Sequence, residues 1–274
     1  MTRPSQKWEE NGNWWDESWS PVSGCTPAGE GCAHCHSIRR MKRHLPYLRG
    51  EGNADVPPTT VLMHPERLDK PFHWRRKRIV LTSMLGDWFH GDVTDEFRDR
   101  GFAVMIDTIE HDYYVLTKRP WVAVEYLNSL MEGGRKVCSA ADEIRNTVIA
   151  GLAVATQLKK GVIPNITLMI STWDQTSTME AQRAISRLHG GIRWGLHIEP
   201  LLGSIDLCSG AEIGYQTVLQ RRLPAWVVTG PENGPGARPM DPAWARWLRD
   251  QCRGLGIPFW FKGEFDGNRE RGRP

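Results

Sequence analysis

The chain has 274 residues, 40% hydrophobic and 24% charged, with a net charge of +3. This balance excludes a disordered or fibrous chain, and no apolar run approaches the roughly 20 residues of a membrane helix. The charge is too small to identify a partner by itself. Two basic runs do concentrate it, Arg39, Arg40, Lys42, Arg43 and His44, then His73, Arg75, Arg76, Lys77 and Arg78. They read either as solvated faces or as phosphate-binding surfaces. Met1–Lys7 lacks the apolar stretch of a signal peptide, so a cytoplasmic location with reduced thiols is expected. The six cysteines are then poor candidates for a disulfide framework.

Thirteen tryptophans are many for this length. Most should be core, whereas Trp14, Trp15 and Trp19 lie in a polar segment and are candidates to cover a site. Val61–Met63 and Ile79–Thr82 read as strands. Thr94 then caps a helix with Phe102, Met105, Ile106 and Ile109 on its buried face. Tyr113–Leu116 is the next strand, and Pro120 opens a helix that stops at Gly133-Gly134. Thr147–Ala150 and Ile166–Ile170 read as buried strands. Ser177 and Glu180 suggest a capping box for a helix carrying Ala181, Ile185 and Leu188. Further strands are expected at Ile192–Leu196, Trp226–Val228 and Pro258–Phe261. Asp241-Pro242 opens a helix with Trp244, Leu248 and Cys252, ended by Gly254 or Gly256.

Alternating strands and helices predict an α/β fold, a complete or partial parallel (β/α) TIM-like barrel over residues 1–265. The polar tail 266–274 is expected to be disordered. A barrel builds its site at the C-terminal ends of its strands. Ser83, Gly86 and Asp87 stand there, as do Thr117, Lys118 and Arg119, then Trp173, Asp174 and Gln175. His197 and Glu199 follow, then Glu232, Asn233 and Arg238, and finally Lys262. Such a set predicts a polar pocket, although strand ends are loops and loops are polar anyway.

The segment from Gly24 to His36 contains Cys25, Cys32 and Cys35 in the spacing C-x6-C-x2-C, with Gly and Pro between the first two thiols. A Gly- and Pro-containing loop can fold around a metal and aim amides at its sulfurs. Three thiols are one short of a closed site. Either His34 or His36 completes a structural zinc site, or the fourth position stays open and a [4Fe–4S] cluster binds a small molecule there. Cys138, Cys208 and Cys252 read as small hydrophobes.

Three cysteines ahead of a partial barrel resemble the radical S-adenosylmethionine (SAM) superfamily, whose commonest spacing is C-x3-C-x2-C. A closer similarity is to the phage-associated three-Cys-motif proteins, an uncharacterised family with a radical-SAM-like barrel. It is carried by Trp19–Cys25, Gly31–Cys35, Ser83–His90, Leu116–Pro120, Glu199–Gly203, Gly234–Met240 and Pro258–Lys262. Departures fall at His36, at Thr229–Asn233 and at Trp173–Gln175.

The resemblance implies a [4Fe–4S] cluster on Cys25, Cys32 and Cys35 that cleaves SAM and starts radical chemistry through a 5′-deoxyadenosyl radical. It implies Ser83, Gly86 and Asp87 near the SAM ammonium, Lys118 at its carboxylate and Glu199 at its ribose. Glu232 and Asn233 join the cofactor-binding set, and Glu199, Arg238 and Lys262 are the catalytic candidates. The implied partners are SAM, an external electron donor and a nucleobase or nucleotide of phage DNA as substrate, within the host cell cytoplasm. The rival reading is a non-enzymatic, zinc- or cluster-stabilised barrel that binds nucleic acid or a partner protein. A metal-dependent hydrolase is a third reading, against which no His-x-His pair stands at a strand end.

Overall fold

The computed structural model describes residues 13–43, 53, 55–133, 148–209, 222–265, 269 and 271–273. The chain divides into two compact units that interleave in sequence. The first is Met1–Thr26, Ser37–Leu168 and Leu188–Arg193. The second is Pro27–His36, Met169–Arg187 and Trp194–Pro274.

In chain order the described elements are β1 (Glu17–Trp19), β2 (Val22–Ser23), α1 (His36–Arg43), β3 (Leu62–Met63), β4 (Ile79–Thr82), α2 (Asp95–Asp107), β5 (Asp112–Thr117) and α3 (Pro120–Gly133). They continue with α4 (Val148–Lys159), β6 (Ile163–Thr172), α5 (Gln175–Ile185), β7 (Ile192–Ile198), β8 (Val227–Thr229), α6 (Pro242–Leu255) and β9 (Phe259–Phe261). Seven strands form one sheet in the order β1-β4-β5-β6-β7-β8-β9, and β2 and β3 form a separate antiparallel pair. The order is open, with β1 and β9 at its ends. Of the two barrel forms expected, the partial one is observed.

In the first unit β1 pairs in parallel with β4, and β4 with β5. Asp16 fixes the register of β1, since its carboxylate accepts from the Ile79 amide at 2.9 Å. Trp14, Trp15 and Trp19 are buried in the core. Trp19 packs at 5.7 Å from Trp88 and 5.9 Å from Tyr113. Thr94 caps α2 as expected, accepting from the Phe97 amide. Phe102, Met105 and Ile106 are buried, but Ile109 lies past the helix end and is 38% exposed.

Three more expectations need correction. Val148–Ala150 are helical, in α4. The β-branched Val148-Ile149 pair imitates a strand, but the Ala- and Leu-rich run that follows favours a helix. Thr147 and Gly134 of the expected helix stop lie outside the described residues, as does His44 of the first basic run. The strand at Leu62–Met63 pairs with β2 and stands outside the main sheet. α5 begins at Gln175, because Asp174 is its N-cap and reciprocates with Ser177, so the capping box lies a turn earlier than Ser177 and Glu180 suggest.

In the second unit β7, β8 and β9 run parallel in register Leu196↔Val227 and Val228↔Trp260. Asp241 caps α6 and Gly256 ends it, as expected. Cys252 on α6 is buried. Residues 271–273 sit on β9: Trp260 bridges Arg271, and Trp226 donates to the Gly272 carbonyl at 2.8 Å. The polar composition of the tail gives no hint of this. Among the described residues no helix is long and apolar enough to cross a membrane.

Candidate metal and cofactor site

In the first unit the segment after β4 forms a seat for both flanks of the cysteine loop. Ser83 leaves the strand with φ 68°, a left-handed conformation that costs a non-glycine residue energy and clusters at functional sites. The Leu85 carbonyl accepts from the Gly24 amide at 2.9 Å. Gly86 lies so close to β2 that a Cβ there would come within 2.8 Å of Val22. The Met84 carbonyl accepts from the Ser37 hydroxyl, and Met41 and Ile38 of α1 pack with Leu85. Gly86 therefore has a steric reason to be glycine, independent of any ligand.

Asp87 is buried, 5% exposed. Its carboxylate accepts from the Phe89 amide at 3.0 Å and from the Thr117 hydroxyl at 2.9 Å. The Lys118 amide at 3.2 Å and Arg119 Nη1 at 2.9 Å complete the set. Arg119 Nη1 also donates to Cys25 Sγ at 3.5 Å, and Nη2 donates to the Thr26 carbonyl at 3.0 Å. Burial opposes the Arg119 charge, but the Asp87 carboxylate and the Cys25 sulfur outweigh it and raise the guanidinium pKa. His90 accepts from the Asp92 amide through Nδ1 and meets the Thr26 hydroxyl through Nε2 at 2.7 Å. Burial, then the Arg119 charge, lowers its pKa, which favours the neutral ring.

In the second unit the loop rests on Trp173, at the end of β6. A Cβ on Gly29 would meet the indole at 2.4 Å and one on Gly31 at 2.7 Å. Bare glycine faces are what allow this approach. Glu30–Cys32 form one 3₁₀ turn, and the Ala28 amide donates to Cys32 Sγ at 3.4 Å. From the end of β8, Glu232 accepts from Arg238 Nε at 2.9 Å, Nη2 at 2.6 Å and the Arg238 amide at 2.8 Å. Arg238 Nη2 also donates to the Glu30 carbonyl at 3.1 Å. Hydrogen bonding from Arg238 lowers the Glu232 pKa to about 2.

Glu199, at the end of β7, pairs with Lys262 at the end of β9. His197 Nε2 lies 3.3 Å from the same carboxylate, and Asn233 donates to it at 3.4 Å. Asp174 and Gln175 serve the fold: the first caps α5, and the second bridges Asp206 and Ser209.

The sequence places Asp87, Glu199, Glu232, Asn233, Arg238 and Lys262 among its candidates, and each takes part in one of these clusters. It gives no role to Thr26, His90 or Glu30, and none to Arg119, His197 and Trp173 beyond standing at strand ends. The one signal for Trp173 is Gly29 and Gly31, which together ask for a bulky neighbour. Lys118 contributes its backbone amide to Asp87.

None of the five described cysteines is in a disulfide. Burial pushes the Cys252 thiol up to about 12, whereas Cys208 is exposed rather than packed as a small hydrophobe, and partial desolvation followed by the Asp206 charge raises its pKa. Cys252 is buried and therefore inert. Cys25, Cys32 and Cys35 are half-buried, and donors point at two of the sulfurs. Among the described residues no three His, Cys, Asp or Glu side chains converge closely enough to hold an ion. The chemistry of the donor set nonetheless fits a thiophilic metal: three thiols outside any disulfide on one short loop, with N–H groups aimed at two of the sulfurs.

Fold and site thus define an α/β protein with a partial parallel barrel and a cysteine loop gripped by groups from strand ends. A profile described as protein of unknown function (DUF5131) matches residues 9–271, and the chain belongs to that family. No curated protein matches it, and no solved structure does.

Proposed function

We propose that this protein is a radical SAM enzyme whose [4Fe–4S] cluster is held by Cys25, Cys32 and Cys35. The observation that supports this most is the Arg119 fork, which ties Cys25 to the buried Asp87 at the end of β4. A structural zinc loop has no need of such a link to strand ends, where a barrel keeps its chemistry. A cluster on three thiolates supplies an open iron position and the electron that cleaves the bound sulfonium.

The chain's own residues then divide the remaining tasks. Ser83, held at positive φ, and the Lys118 side chain serve the amino-acid part of SAM. Asp87 and Gly86 act one step back, by fixing Arg119 and seating the loop. Glu199 and Asn233 serve the ribose hydroxyls, with Lys262 holding the Glu199 charge. Glu232 fixes Arg238, and Arg238 and Lys262 are the catalytic candidates. Cysteines outside any disulfide suit a reducing cytoplasm, and an external donor supplies the electron. A nucleobase or nucleotide of phage DNA is the proposed substrate, in keeping with exposed Arg40, Lys42 and Arg43 on α1 and with Arg75 and Arg76.

Anaerobic reconstitution with iron and sulfide, followed by reduction in the presence of SAM, tests the reading. The expected outcome is about four irons per chain and release of 5′-deoxyadenosine that is lost in Cys25→Ala, Cys32→Ala and Cys35→Ala. A colourless protein holding stoichiometric zinc favours the non-enzymatic barrel and overturns the enzyme. DNA affinity that does not fall with added salt overturns the substrate assignment.

A further inference from the structure

We infer that Arg119 is a positioning residue that sets Cys25 in place before any metal arrives, with Asp87 as its anchor. This rests on reading the three cysteines as metal ligands and adds a residue that the cysteine motif does not contain. Arg119 stands 94 positions away in sequence from the thiol it touches.

Both arms of the guanidinium are occupied. One bridges Asp87 at 2.9 Å and Cys25 Sγ at 3.5 Å. The other holds the Thr26 carbonyl at 3.0 Å and reaches its hydroxyl at 3.4 Å. The Arg119 backbone is also fixed, since its amide donates to the Thr117 hydroxyl at 2.9 Å. That hydroxyl donates in turn to Asp87. On the far side His90 holds Thr26, and the Leu85 carbonyl holds Gly24. Residues 24, 25 and 26 are thus each tied to the ends of β4 and β5. A ligand loop free in the unbound chain gives up conformational freedom when metal binds, which lowers affinity, and a tethered one has given it up on folding. Lysine cannot replace the fork, because a single ammonium reaches too few of these partners at once.

The test uses the reduced full chain without iron, titrated anaerobically with Co²⁺ alone and followed by thiolate-to-cobalt absorption. Arg119→Ala should weaken Co²⁺ binding about 10- to 100-fold, the range for groups that orient metal ligands. Asp87→Asn should act in the same direction, and Arg119→Lys should recover only part of the loss. In a Cys25→Ala background, Arg119→Ala should have no further effect, because there is no thiol left to position. Thermal melts are run on every variant. Should Arg119→Ala fail to fold, Arg119→Lys and Asp87→Asn take its place in the same cycle.

Equal losses with and without Cys25 overturn the inference, because Arg119 then supports the fold alone. Unchanged affinity overturns it as well. Absence of any cobalt–thiolate absorption in the wild-type chain overturns the metal reading and this inference with it, whereas the first two outcomes leave the metal reading standing.

Discussion

The two ends of the cysteine loop are held by different physics. At Cys25 the grip is an ion pair, Asp87 with Arg119, whose side chains are 6% and 16% exposed and whose cation reaches sulfur and backbone together. At Cys32 the grip is mainly packing, two glycine faces laid against the Trp173 indole. An ion pair assists there too, with a carboxylate as buried as that of Asp87 (Glu232 4% exposed), but the side chain of Arg238 is 30% exposed against 16% for Arg119 and can return to water. A buried charge punishes the loss of its partner, while a rim charge can be rehydrated. The Cys25 end should therefore be the brittle one.

The largest expected effect follows directly. Asp87→Ala removes the acceptor for Arg119 and for the Phe89, Thr117 and Lys118 donors, and should cost about 3–5 kcal/mol of stability. Glu232→Ala should cost about 1–2 kcal/mol, because Arg238 is free to hydrate. Denaturant midpoints at neutral pH measure both, and equal losses would break the proposed asymmetry.

An intermediate effect tests the packing end. Gly31→Ala places a methyl where only 2.7 Å separates it from the indole, and overpacking of this kind costs about 1–3 kcal/mol. Trp173→Ala should relieve much of that loss in the double variant, giving a coupling that a general effect of alanine in the loop cannot produce. Arg119→Ala should show no such coupling to Gly31→Ala.

How far the sequence foretells these features depends on the range of the interaction behind each. β4, β8 and β9 are apolar runs, and β5 and β7 are largely so, so their burial is written locally. β1 escapes because Glu17-Ser18-Trp19 presents one apolar residue and owes its state to pairing with β4. Val148–Ala150 mislead because a short β-branched run has no period to separate strand from helix. Among site residues, Cys25, Cys32, Cys35 and Asp87 stand in recognisable segments. The Glu232–Arg238 pair joins residues six apart and is half legible. Arg119 and Trp173 meet the loop only through the fold, and no local pattern marks a side chain whose partner lies in another segment.

The smallest effect concerns pH, and it should separate the two ends by window. His90 titrates at 6.5 when unfolded and lower when folded, owing to burial and then the Arg119 charge, against the opposing pull of Asp92 and Asp87. Between those values the unfolded chain binds more protons, so stability rises with pH there. The contribution is complete above 6.5 and is lost as pH falls through the folded value. His111 shifts in the same direction, chiefly by burial, so His90→Gln should flatten part of the slope rather than all of it. Glu232 shifts in the same direction in a more acidic window: its pKa falls from 4.5 to about 2 through hydrogen bonding to Arg238. Its contribution is complete above 4.5 and is lost as pH falls toward 2. Stability measured against pH should thus decline in two steps, the first diminished by His90→Gln and the second by Glu232→Gln. A first step that ignores His90→Gln would place the acid sensitivity elsewhere than at the Cys25 end.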